Sequence, residues 1–211
     1  MGEFRREHIV IGTTEIHLIH FAEFEPTHFF HLISEQEQER LDSFHHVQRK
    51  REFVATRILK HDLFGYKEIE YESHGAPFIK SEGFISISHS RNCCGIAINE
   101  NFKIGFDIEK KSSKAQQLQS KFISFDEAQF LDTSDELLMT KAWSCKEALY
   151  KLSGRKQLIF KTDLRLLAEQ NNHWKCEIVN PSEKISVELQ TFDQIDRILT
   201  INTCAIESNS H

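Results

Sequence analysis

Asp107 and Glu109 stand one residue apart in the stretch KIGFDIEK, residues 103–110. In an extended chain alternate residues share a face, so the Cα atoms of the two acids lie roughly 6.5 Å apart on one side, with Ile104, Phe106 and Ile108 on the other. Like charges side by side repel, and Asp is disfavoured in strands. Either this is a solvated strand face with two surface acids, or a positive group offsets the cost. A third acid, Glu147, lies in WSCKEALYK, residues 143–151, flanked by Trp143 and Tyr150, with Lys151 one helical turn further on. One reading is an i,i+4 surface pair worth a few tenths of a kcal/mol. The aromatic neighbours favour a second packed face instead. If Asp107, Glu109 and Glu147 converge, they form an oxygen-rich site. Mg²⁺ accepts such oxygens in octahedral geometry and takes substrate phosphates as remaining ligands. With Lys151 nearby, that combination implies phosphate chemistry on a polyanionic small molecule.

The chain supplies cations for such a substrate. Its net charge is −6, yet Arg40 to Lys67 holds seven basic residues (Arg40, Arg49, Lys50, Arg51, Arg57, Lys60, Lys67) against Asp42, Glu52 and Asp62. A second zone, Lys141 to Lys161, has six basic residues and one acid, Glu147. Two basic zones in an acidic protein suggest a specific anionic partner and not bulk nucleic-acid binding. The five cysteines include no CxxC pair and the twelve histidines no HExxH, so neither a disulfide framework nor a structural zinc site is expected. Cys93 and Cys94 should point to opposite faces of a strand. No apolar run is long enough to span a bilayer, and the opening MGEFRREHIVIG lacks a signal-peptide pattern. A cytoplasmic protein with no membrane segment is expected.

The elements that must position these residues fall into two sets. Residues 8–21 alternate around Gly12-Thr13 and read as a hairpin. Ser34 to Glu37 is a capping box, followed by a helical pattern over 46–64. An extended piece near 68–72, a turn at His74-Gly75-Ala76-Pro77, and strands near 84–89, 93–99 and 103–109 follow, read as an antiparallel meander. Ser124 to Glu127 is a second capping box. The stripe Leu138, Ala142, Cys145, Leu149, Leu152 predicts a helix over 135–152, stopped by Gly154. Residues 158–206 read as strands, including 184–192 and 197–206.

Shifting the chain by 90 residues superimposes Ile33 on Ile123, Ser34 on Ser124, Glu37 on Glu127, Leu41 on Leu131, Asp42 on Asp132 and Leu59 on Leu149, with Phe53 meeting Trp143. The spacing implies an α+β fold of two pseudo-symmetric halves, 1–102 and 103–211. Each half would pack helices on an antiparallel meander, with a cleft at the junction. In this register Arg57 corresponds to Glu147.

IGFDIE (104–109) followed by WSCKEALYK (143–151) resembles the paired signature of 4′-phosphopantetheinyl transferases. ISISHS (85–90), GAP (75–77) and SEQEQERLDSF (34–44) resemble the motifs that precede it in the surfactin-synthetase-activating type. The resemblance covers residues 30–155. It implies transfer of the phosphopantetheine arm of coenzyme A to a serine of an apo acyl or peptidyl carrier protein, releasing adenosine 3′,5′-bisphosphate. By matching positions, Asp107, Glu109 and Glu147 would hold Mg²⁺ against the pyrophosphate. Lys151 would stabilise charge there, His89 would donate to a phosphate, and Ser88 would line the same pocket. Glu147 or Glu109 would take the serine proton. Arg40, Arg51 and Arg57 would meet the adenosine 3′-phosphate, with Gly75 and Pro77 in the loop beside it. The family often has Gly-Lys-Pro where this chain has Gly75-Ala76-Pro77; an arginine or His74 would supply the missing cation. Alternation alone places His89 with Ile85 and Ile87 in the core, whereas the SHS context turns it into the cleft. The carrier protein, typically acidic, would meet Lys146, Arg155 and Lys156. A monomer is expected, since two halves already build one cleft. A Mg²⁺-dependent hydrolase of a nucleotide pyrophosphate would use the same carboxylates. A non-catalytic module binding coenzyme A or a carrier is the other rival.

Overall fold

The computed structural model describes residues 4–154, 157–181 and 183–209. The first half opens with the expected hairpin, β1 (Phe4–Ile11) and β2 (Thr14–Phe21), turning at Gly12 in the left-handed region. Helices α1 (Glu35–Asp42) and α2 (Val47–Phe64) follow, then the short pair β3 (Glu70–Tyr71) and β4 (Pro77–Phe78), and strands β5 (Phe84–Ser90) and β6 (Cys93–Asn99). The second half comprises β7 (Phe106–Lys110), α3 (Lys114–Leu118), α4 (Glu136–Leu152), β8 (Leu164–Gln170), β9 (His173–Asn180), β10 (Glu183–Asp193), β11 (Arg197–Asn202) and β12 (Glu207–Asn209).

Among the described residues the larger sheets run β1-β2-β6-β5 and β7-β11-β10-β9-β8, with β12 beside β10; their pairings are antiparallel. Helix α2 covers one face of the first sheet, burying Phe53, Val54, Ile58 and Leu59 against Ile19, Phe21, Ile85, Cys94 and Ile96. Helix α4 covers the second sheet through Ala142, Cys145 and Leu149, as the apolar stripe requires. A third cluster lies between the sheets: Ile16, Leu18, Cys93 and Ala97 meet Phe106, Ile108, Leu199 and Ile201. Cys93 and Cys94 thus face different cores, and among the described residues no cysteine is in a disulfide.

One expectation fails. The strand at 103–110 does not continue a meander from 84–99. Strand β6 is already flanked on both edges, by β2 and β5, so β7 crosses to the second sheet and pairs with β11. Asn99 makes the crossing turn: its Oδ1 accepts from the Asn101 and Phe102 amides at 2.7 and 3.0 Å.

The repeat has a structural counterpart. β2, α1, α2, β5 and β6 correspond in order and pairing to β7, a capped turn, α4, β10 and β11, with β8–β9 an extra hairpin. Both capping boxes form. Ser34 Oγ accepts from Glu37 N at 3.4 Å while Glu37 accepts from Ser34 N; Ser124 Oγ accepts from Glu127 N at 3.2 Å with the reciprocal bond at 2.7 Å. The second box opens only a single 3-10 turn, Glu127–Gln129. Each box glutamate also takes a buried cation from the long helix: Arg57 Nε donates to Glu37 at 2.7 Å, and Lys146 Nζ reaches Glu127 at 2.8 Å. The end of α4 is set by Gly154, at φ +79.

Candidate active site

Strand β7 reaches its position through two close approaches. A Cβ on Gly105 would lie 2.1 Å from the Ala148 carbonyl oxygen of α4, so only glycine lets the strand begin there. A Cβ on Gly95 would meet Phe106 and Ile108 at 2.8 and 2.9 Å. One edge of β7 pairs with β11. On its other edge the amides of Phe106 and Ile108 donate to the hydroxyls of Ser86 and Ser88 on β5, at 3.1 and 3.0 Å. The alternating serines of ISISHS therefore join the two sheets. With Phe106 and Ile108 turned into the inter-sheet core, Asp107 and Glu109 face α4, as the alternation predicts.

Asp107 is 3% exposed and fully engaged. Its Oδ1 accepts from Ser88 Oγ at 3.0 Å and from Lys151 Nζ at 2.7 Å; its Oδ2 accepts from Ser144 Oγ at 2.8 Å. Thr200 in turn donates to Ser144 at 2.8 Å. Lys151 also donates to Ser88 Oγ and the Phe106 carbonyl, at 2.8 and 2.9 Å, which uses all three ammonium protons. Glu109 accepts from Trp143 Nε1 at 2.8 Å. Trp143 is itself stacked on Phe160 and edge-on to Phe122, the second packed face expected around Glu147. Burial, then the Asp107 charge, with a further push from Glu147, raise the Glu109 carboxyl to about 7, against the opposing Trp143 hydrogen bond and Lys151.

These groups line a cavity of about 390 Å³. The lining brings Asp107, Glu109, Glu147 and Lys151 together with Arg40, Arg49, Glu52, Arg57, Ser88 and His89, and with the rings of Phe44, Phe53, Tyr71 and Tyr150. His89 sits at the strand end in the cavity and is not a core residue; its Nδ1 lies 3.3 Å from Glu52, and the Arg49 guanidinium abuts its ring. Arg40 lies over the Tyr71 ring at 4.4 Å. Arg57 is buried between Glu37, the Tyr71 hydroxyl and the Phe53 ring.

Other residues fall elsewhere. Arg51 does not line this cavity: its Nε donates to the Phe24 carbonyl at 2.9 Å and its guanidinium pairs with Glu23. Two residues along a helix turn the side chain by about 200°, and it is Arg49 that shares a face with Phe53, Thr56 and Arg57. Its i,i+4 and i,i+8 spacing to Phe53 and Arg57 was the available signal. His74 lines a neighbouring cavity of about 620 Å³ and pairs with Glu72 at 2.9 Å; Pro77 and Lys151 border both cavities. Gly75, at φ +89, shapes the loop without lining either. Lys146 is 0% exposed, held by Glu127 and the Phe122 and Phe160 carbonyls, so it offers no charge to an approaching protein. Arg155 and Lys156 lie outside the described residues. Ser144 carried no sequence signal, because its role depends on β7 crossing beneath α4.

The donor chemistry suits a hard dication. Three carboxylates share one cavity, and their mutual repulsion shows in Glu109; a divalent cation relieves that repulsion. The oxygens are not gathered into a ready cage: among the described residues, Asp107, Glu109 and Glu147 do not bring ligand atoms within 4.8 Å of one another. Lys151 sits against Asp107 and would have to share it.

Residues 103–201, 99 of the 211, match the family model of the 4′-phosphopantetheinyl transferase superfamily. The match contains Asp107, Glu109, Glu147 and Lys151. Arg40, Arg49 and His89 belong to the half outside it. No curated protein matches the chain. Among the described residues no helix is long and apolar enough to cross a membrane.

Proposed function

We propose that the protein transfers the 4′-phosphopantetheine arm of coenzyme A to a serine of an apo acyl or peptidyl carrier protein, as a cytoplasmic monomer of the surfactin-synthetase-activating type. The observation that carries the reading is one cavity lined by both carboxylates and cations. Acids that lie inside the family match, Asp107, Glu109 and Glu147, share it with cations supplied by residues 40–89. Coenzyme A has the complementary form, with a pyrophosphate at one end of its nucleotide and a 3′-phosphate at the other. We read residues 1–102 as the adenylate side and 103–211 as the acidic-motif and carrier side.

Asp107, Glu109 and Glu147 would hold Mg²⁺. When bound, the ion neutralises charge developing on the phosphoryl oxygens and the departing bisphosphate. The residues of the chain do the rest. Lys151 and Ser144 hold Asp107 in place. Trp143 fixes Glu109. His89 and Arg49, which line the same cavity, would donate to phosphate oxygens. Glu147 or Glu109 takes the proton of the acceptor serine, whose oxygen attacks the β-phosphorus as the bisphosphate departs. Arg40 and Arg49, with more exposure than Arg57, are the cations assigned to the 3′-phosphate.

The test is mutational. Glu147→Gln should abolish transfer while leaving the circular dichroism spectrum unchanged; full turnover in this variant removes Glu147 from the chemistry. Arg49→Ala should raise KM for coenzyme A by about 10- to 100-fold, the range of one lost charge-assisted hydrogen bond. It should have a smaller effect on 3′-dephospho-coenzyme A. Equal effects on both substrates reject the 3′-phosphate contact.

A further inference from the structure

The β1–β2 hairpin carries a second cluster of ligand groups, on the face turned toward α2 and remote in the fold from Asp107, Glu109 and Glu147. His8 and His17 are directly opposed across the two strands, and Glu15 lies two residues before His17 on the same face. The two imidazoles stack with centroids 4.3 Å apart and planes 8° from parallel. Both Nε2 atoms lie near a single carboxylate oxygen, Glu15 Oε2, at 3.1 Å from His8 and 3.3 Å from His17. Among the described residues this is the one group of three or more His, Cys, Asp or Glu whose donor atoms all lie within 4.8 Å.

We propose that His8, Glu15 and His17 form a binding site for a borderline transition-metal dication, with Zn²⁺ as the type ion, holding it by three protein donors and leaving one position for water. The geometry points to the ion class. With metal–ligand bonds of about 2.0–2.2 Å, adjacent donors of a tetrahedral zinc site stand roughly 3.3–3.5 Å apart. The two measured Nε2–Oε2 separations are close to that edge length. Two imidazole nitrogens and one carboxylate suit zinc and its neighbours and do not suit Mg²⁺, which takes oxygen donors. The imidazoles must be neutral to bind. On metal binding each ring carries its proton on Nδ1 and presents Nε2. The ion would clamp the edge strand β1 to β2. This inference rests on the hairpin alone and is independent of the transferase reading.

The test is isothermal titration of the tag-free full chain with ZnCl₂ in saturating Mg²⁺, which occupies oxygen sites. Wild type should bind one Zn²⁺ saturably, with a rise in Tm. Either His8→Gln or His17→Gln should weaken binding by about tenfold or more and remove the Tm rise. These side chains are half or partly exposed, so the variants should fold. No saturable zinc binding by wild type overturns the proposal. So does unchanged binding by the His8→Gln/His17→Gln double variant, which would place the zinc elsewhere, for instance at the exposed Cys204.

Discussion

Lys151 commits all three of its protons inside the protein, to Asp107, Ser88 and the Phe106 carbonyl. Lys151→Ala should leave Asp107 buried without its cation and cost about 3–5 kcal/mol, read by urea unfolding, along with activity. A loss under 1 kcal/mol would show the pair to be dispensable to the fold. Glu109 gives a pH signature with the opposite sign to an ordinary carboxylate. Its folded value of about 7 lies above the usual carboxylate range. Between about pH 4.5 and 7 the native state therefore holds a proton that the unfolded chain has released, and this group's contribution to stability falls as pH rises. In EDTA, Glu109→Gln should gain stability relative to wild type across that window. Parallel stability–pH profiles would contradict the assigned burial. At this scale the acidic triad and Lys151 were legible from type and spacing. Of three consecutive cations, Arg51 does not line the cavity and Arg49 does, because helix phase and not charge decides which of them faces it. The burial of Lys146 was hidden, since its carboxylate partner Glu127 is 19 residues away in a turn.

The elements were legible where local chemistry sets them. Both capping boxes, the helix over 47–64 and the Gly154 stop follow from side chains within a few residues. The sheet membership of β7 was not legible, because it depends on β2 having already taken the free edge of β6. The crossing of β7 beneath α4 makes Gly105 a sharp test. The nearest obstacle to a Cβ is a backbone oxygen, which cannot rotate away. Gly105→Ala should cost about 1–3 kcal/mol, as overpacking does, and reduce transfer by displacing Asp107. Native stability with native kcat would show that the strand has room. Ser88→Ala should cost about 1–3 kcal/mol by leaving the buried Ile108 amide without its acceptor.

For the molecule as a whole, residues 1–102 and 103–211 bring unlike charges to one cavity. The first half supplies Arg40, Arg49 and His89, the second Asp107, Glu109, Glu147 and Lys151. At matching positions of the repeat stand Arg57, paired with Glu37, and Glu147, and both line the cavity. The most direct measurement is the intact mass of an apo carrier protein after incubation with this protein, coenzyme A and Mg²⁺. The account predicts a gain of one phosphopantetheine, abolished by EDTA and by Glu147→Gln. Coenzyme A cleaved at its pyrophosphate with no gain in carrier mass, for acyl and peptidyl carriers alike, would contradict it and make the protein a hydrolase.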